Sequence, residues 1–208
     1  PYVTLSPKIA VIIKKESAMS KPISSHLPAA ALTRHLFLIG FMGSGKSTVA
    51  AALSEALSLP LLDSDACISE ALGESIASFF ARAGEEAFRE RETAFLKSLR
   101  ESAPCLISCG GGMALRSENR ALMRELGGVI YLTATPDTIF ARLAADTTRP
   151  LLAGKKSLTD IAALMDARAA SYEDAASIRI ATDGLRPEEI VSELIPLLHP
   201  FLSEGESR

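Results

Sequence analysis

The segment GFMGSGKST, Gly40 to Thr48, limits what this chain can fold into more than any other stretch. It follows the apolar run LFLIG and opens a helical pattern from Lys46 to Leu57, so the spacing G-x-x-x-x-G-K-[ST] falls between a buried strand and the start of a helix. In that setting the glycines let the backbone turn tightly with its N–H groups facing inward, which makes a cradle for phosphate oxygens. Lys46 adds a point charge at the outer phosphates of a nucleotide, Ser47 offers a hydroxyl to Mg²⁺, and the helix N-terminus adds its partial positive charge. Gly43, Ser44, Gly45, Lys46, Ser47 and Thr48 are therefore the expected nucleotide-binding residues.

The rest of the chain repeats the strand-then-helix rhythm. Apolar runs at 36–40, 59–63, 105–110, 129–132 and 178–181 are too short for helices, and their unbroken apolarity suits parallel strands covered on both faces. Between them lie helical stretches at 46–57, 65–100 with breaks at Gly73 and Gly84, 117–126, 136–145 and 158–176. The order predicts an α/β fold: a five-stranded parallel sheet with helices on both faces. Two excursions interrupt it, a helical segment at about 65–93 and a loop at about 146–157 that holds Pro150 and Gly154. Excursions at the carboxyl ends of strands are where substrate segments and lids are usually placed.

With 208 residues, one domain is expected, over 35–200. An extension at 1–34, disordered or foreign to the native chain, would precede it, with Met19 a candidate start; a tail at 201–208 would follow. A formal charge of −3 offers no general attraction to nucleic acid or anionic membrane. No stretch reaches the ~20 apolar residues of a membrane span. The three cysteines, Cys67, Cys105 and Cys109, are an odd number and two flank an apolar run, so reduced thiols, a cytoplasmic location and a monomer are expected.

A phosphate loop alone does not name a reaction. The guanine-reading N-K-x-D and the L-S-G-G-Q signature are both missing from the sequence, which leaves a small-molecule kinase. Asp63 and Asp65 stand two apart at the end of the second apolar run, so both can project toward the phosphate loop. One can serve Mg²⁺ through water and the other an acceptor hydroxyl, while Asp65 can equally cap the helix that follows. Gly110, Gly111 and Gly112 close the third run, where bare backbone allows close approach of a ligand. Among the arginines Arg89, Arg142, Arg149 and Arg168, Arg149 stands apart, beside Pro150 in the lid-like loop, where a guanidinium can swing onto a moving phosphoryl group. His26, His35 and His199 belong to no motif and read as structural or surface residues.

Taken in order, GFMGSGKST, DSD, GEEAFRERE, CGGG, RPLL and RAASYEDAA resemble the shikimate kinases, members of the nucleoside-monophosphate-kinase-like P-loop group, over about residues 35 to 199. The resemblance implies transfer of a phosphoryl group from ATP, with Mg²⁺, to the 3-hydroxyl of shikimate. By the family pattern Lys46, Asp65 and Arg149 would be catalytic, with Asp65 at the ring hydroxyls and Asp63 and Ser47 in the Mg²⁺ shell. Arg89 and Arg168 would clamp the substrate carboxylate, Glu92 would hold Arg89, and Gly111 and Gly112 would offer N–H groups. Arg142 and Pro187 would face the adenine. Two features depart from a typical member: the N-terminal extension, and the adenine-side loop TDGLRPEE. A kinase for another small acid or polyol, such as gluconate, and a nucleotide-binding module without turnover are the competing readings.

Overall fold

Each buried strand divides its side chains between two cores, and that division sets the architecture of the computed structural model, which describes residues 32–145 and 157–203. The strands are β1 (His35–Ile39), β2 (Leu61–Asp63), β3 (Leu106–Ser108), β4 (Gly127–Thr133) and β5 (Ile178–Ala181). All pair in parallel in the order β2-β3-β1-β4-β5. On one face Phe37, Ile39, Leu62, Ile107 and Val129 enter a core with Phe88, Phe95, Met123 and Tyr172. On the other, Leu36, Leu38, Leu106, Ile130 and Ile180 meet Val49, Leu53, Ile190 and Leu194. Alternation by twos thus gives two buried faces, as the sequence predicts.

The helices are α1 (Lys46–Leu57), α2 (Ser64–Leu72), α3 (Ile76–Ser98), α4 (Ser117–Leu126), α5 (Pro136–Ala145), α6 (Leu158–Ala175) and α7 (Pro187–Leu194). The predicted bounds of α1, α4 and α5 are reproduced. The excursion after β2 divides at Gly73, which takes a left-handed conformation at φ 69°, and kinks within α3 at Gly84, φ 82° and ψ 172°. Two expectations are corrected. The cap of α2 is Asp63 and not Asp65, because the helix begins one residue earlier and Asp63 accepts from the N–H groups of Asp65 and Ala66. An unpredicted helix, α7, follows β5, with Pro187 in its first turn and Ile190, Val191 and Leu194 buried.

Residues on both sides of 35–200 join the fold. Leu32 bridges Leu202, the N–H of Thr33 donates to Phe201, and the Arg34 guanidinium bonds the carbonyls of Arg124 and Glu125. The C-terminal turn packs so closely that a side chain at Gly128 would meet the ring of Phe201. Cys67, Cys105 and Cys109 are buried and none is in a disulfide. His35 is buried too, bonded to the carbonyl of Leu99 and the N–H of Cys105, which is the structural role expected of it. No helix among the described residues is long and apolar enough to cross a membrane. The expected lid at 146–157 lies outside the described residues except for Ser157, and Arg149 lies outside them altogether. So do residues 1–31 and 204–208, with Met19 and His26.

Candidate active site

The central strand β1 lies between β3 and β4, so the chain leaves it toward one edge of the sheet and later returns to the other side. A crevice opens at the carboxyl ends of the strands at such a point. Here it is a cavity of about 640 Å³, lined by Met42 to Val49, Asp63, Asp65, Ser108 to Gly111, Arg142, Thr182 and Pro187 among others. That volume suits a small-molecule site.

The phosphate loop forms its near wall. Gly43 and Gly45 have φ of 79° and 93°, conformations that favour glycine, and α1 starts immediately after them without a side-chain cap. The N–H groups of its first turn are therefore left for a ligand, and an anion is the partner they suit. Lys46 Nζ donates to the carbonyls of Gly40 and Phe41, at 3.0 and 2.9 Å, which holds the ammonium at the rim of the loop. Ser47 and Thr48 are exposed, and Ser44 is buried beneath the loop.

Two carboxylates meet the loop from β2. Asp63 commits Oδ1 to its cap, receiving both N–H groups at 3.0 Å. Asp65 lies against the glycine turn after β3: a Cβ at Gly110 would fall 2.3 Å from its Oδ1. The neighbouring Ser64 hydroxyl accepts from the Gly110 N–H at 2.8 Å, so the start of α2 and the glycine turn are tied together. The residue type at 110 follows directly, since any side chain there would displace Asp65.

The same turn carries the arginine from α3. Arg89 covers Gly112 so closely that a Cβ there would fall 2.0 Å from its Nη1. Its guanidinium is held at 2.8 Å by Glu92 and at 2.7 Å by Glu85. Burial works against the charge on Arg89, but the bonds to Glu92 and Glu85 outweigh it and hold its pKa above the ordinary value. Glu92 is fully buried. Burial pushes its carboxyl up to about 7 against the pull of Arg89, and the charges of Asp65 and Glu85 push in the same direction. Its Oε1 has no partner among the described residues.

From the other side comes α6. Arg168 lies over the ring of Phe41, 5.7 Å from its centre, and its charge favours the ionised form of the Tyr172 hydroxyl. That hydroxyl donates to the carbonyl of Gly111 at 2.6 Å. Burial raises the Tyr172 pKa, while the charges of Arg168 and Arg89 both lower it. On the far wall, Arg142 of α5 donates to the carbonyl of Gly43 at 3.2 Å, and to the Thr182 hydroxyl and carbonyl at 3.0 and 2.7 Å. Pro187 lines the cavity beside it.

A family model described as shikimate kinase matches residues 42–199. A shikimate kinase of Enterococcus faecalis is 41% identical over 165 residues, which are 78% of this chain and 97% of the relative. The chain belongs to the shikimate kinase family. A solved shikimate kinase from Acinetobacter baumannii, in complex with shikimate, superposes with a TM-score of 0.73 at 30% identity, covering 79% of this chain and 92% of that one. A gluconokinase from Sinorhizobium meliloti reaches a TM-score of 0.54 at 16% identity, over 82% of this chain and 94% of that one, a likeness of fold alone.

Of the residues expected from the shikimate kinase resemblance, Lys46, Ser47, Asp63, Asp65, Gly111, Arg142 and Pro187 line one cavity, with Arg142 bonded to the loop at Gly43. Gly112, Arg89 and Arg168 sit beside it through the contacts described. Thr182, Ser64 and Tyr172 join them without having been singled out. Tyr172 had a sequence signal, since it stands one helical turn beyond Arg168 in RAASYEDAA. Thr182 had none, because its place depends on the strand register of Leu132 with Ile180.

Proposed function

We infer that this enzyme transfers the γ-phosphoryl group of ATP to the 3-hydroxyl of shikimate, giving shikimate 3-phosphate and ADP. The observation that carries the reading is the joining of a phosphate loop to a second anion-binding corner. Arg89 of α3 lies on Gly112 of a glycine turn that meets the loop at Gly111 and carries Asp65 against Gly110, and Arg168 of α6 lies over Phe41 of that loop. Planar guanidinium groups suit a carboxylate, and a paired arrangement fixes the ring that bears it. In-line transfer asks chiefly for position and electrostatic support. Lys46 would follow the charge of the moving group, Asp65 would orient and deprotonate the acceptor hydroxyl, and Arg149 would close over the phosphates. Arg142 and Pro187 would flank the adenine.

The donor set also fits Mg²⁺ in the form kinases use it. Among the described residues no cluster of three or more His, Cys, Asp or Glu could hold a metal by itself. Mg²⁺ in kinases takes one or two protein groups and completes its shell with phosphates and water. Ser47, with Asp63 through water, would hold it, and it would neutralise charge on the phosphate oxygens. The reading takes the enzyme as a cytoplasmic monomer, since every group it uses comes from one chain. A formal charge of −3 gives no reason to invoke nucleic acid.

The test is ADP release from ATP with no acceptor, with shikimate, with gluconate and with a shikimate analogue lacking the carboxylate. Release should depend on shikimate, with gluconate and the analogue poor. Arg89→Ala or Arg168→Ala should raise the shikimate KM roughly thirtyfold or more, the ~2 to 5 kcal/mol of a broken desolvated charge pair, and leave the ATP KM unchanged. Because both side chains would hold one group, the double variant should lose less than the sum. An analogue used as well as shikimate, or two single variants with wild-type KM, would falsify the carboxylate clamp and favour a neutral polyol.

Glu92 adds a pH dependence whose sign follows from its raised pKa. Below about pH 7 the buried carboxyl takes up a proton and loses the charge that fixes Arg89. The shikimate KM should therefore rise as the pH falls from about 8 to about 6, by up to about tenfold if the ion pair is worth ~1.4 kcal/mol to the clamp. Glu92→Gln should show the raised KM at every pH. A variant that keeps the wild-type pH profile would assign the titration to another group.

A further inference from the structure

We propose that the Tyr172 hydroxyl is the positioning group of the acceptor half of the site, fixing the Gly111–Gly112 peptide in the orientation from which its N–H reaches the acceptor. The proposal rests on the reading of that half as the shikimate pocket. Tyr172 is 1% exposed, and its ring stacks on Tyr131 of β4 with centroids 5.2 Å apart and planes at 27°. The hydroxyl at the end of that packed ring has little freedom to wander. It donates to the Gly111 carbonyl at 2.6 Å.

The consequence comes from peptide geometry. The carbonyl of Gly111 and the N–H of Gly112 belong to one planar trans unit and point in opposite directions. Binding the carbonyl on the Tyr172 side therefore turns the Gly112 N–H to the other side, away from α6. Three consecutive glycines place no side chain in the way of a flipped peptide, so the backbone alone does not choose this orientation. The hydrogen bonds of the turn run from the N–H groups of Gly110, Met113 and Leu115, and these leave the Gly111–Gly112 unit unheld. Tyr172 supplies the missing constraint.

Tyr172→Phe removes only that oxygen and keeps the ring stack. The KM for shikimate should rise roughly tenfold, the effect of one lost hydrogen bond, while the KM for ATP and the melting temperature hardly change. A variant with wild-type shikimate KM would overturn the proposal, as would equal rises in both KM values, which mark general loosening. Wild-type enzyme that does not phosphorylate shikimate would instead defeat the reading of the pocket and the proposal with it. A second measurement needs no variant. With ¹⁵N-glycine labelling, the Gly112 amide signal of the wild-type protein should shift when shikimate alone is added. A signal that stays in place would mean that this N–H does not face the acceptor, and the proposal would fall.

Discussion

Lys46→Met is expected to leave the fold intact and lower turnover by at least about a thousandfold, read as ADP release at saturating ATP and shikimate. The side chain is half-buried at the rim of the phosphate loop, and Met fills nearly the same volume, so the loop loses a charge and not its packing. At present that charge is shared between the carbonyls of Gly40 and Phe41. Those oxygens belong to the turn itself and hold the ammonium beside the cradle without neutralising it. As the phosphoryl group moves, negative charge spreads over its outer oxygens and shifts toward the leaving group, where a fixed cation counts most. One preorganised donor at such a position is worth ~2.7 to 4 kcal/mol, and a full charge in a partly closed site exceeds a neutral donor. The Gly40 and Phe41 carbonyls would also lose their donor, at a cost to loop order that shows in the ATP KM. A variant that keeps more than a tenth of wild-type turnover would show that the G-K-S segment is not the catalytic loop.

The elements that could be read from sequence are those whose boundaries are set locally. The start of α1 at Lys46 follows from Gly45, whose left-handed backbone ends the loop, and the bounds of α5 follow from Pro136 and its apolar spacing. Helix α7 escaped because it has only eight residues and lies in a segment read as an adenine-side loop, although Pro187, Glu188 and Glu189 in its first turn were a usable start signal. The site divides in the same way. Lys46 and Ser47 are fixed by motif spacing. Among the acidic residues of GEEAFRERE, spacing alone does not separate Glu92 from Glu85 or Glu90, though the family pattern does, and the fold buries Glu92 completely and leaves the other two exposed. Tyr172 owes its role to a contact with Gly111 that depends on how α6 packs against the turn after β3. Such facts depend on long-range packing, which residue spacing does not record.

Spacing alone leaves Asp63 and Asp65 interchangeable, and their surroundings separate them into an unequal pair. Asp63 holds the start of α2 with Oδ1, so part of its worth is structural, and replacing it should cost stability of the order of a lost cap, ~1 kcal/mol. Asp65 makes no such cap. Its carboxylate lies on Gly110 at the side of the turn where Arg89 and Gly112 stand, which is where an acceptor held by its carboxylate would present a hydroxyl. Asp65→Asn keeps the size of the side chain, one carbonyl oxygen and its fit against Gly110, but gives up the negative charge that favours removal of a proton. Turnover with shikimate should fall by about 10²- to 10⁴-fold, the usual worth of a positioned base, with the ATP KM and the melting temperature little changed. Because the lost interaction would strengthen as the hydroxyl gives up its proton, kcat should fall much more than the shikimate KM rises. The opposite pattern would be loss of ATP or Mg²⁺ affinity at nearly constant kcat. It would mean that Asp65 serves the metal and Asp63 the acceptor, with the capping oxygen of Asp63 acting alongside a catalytic one.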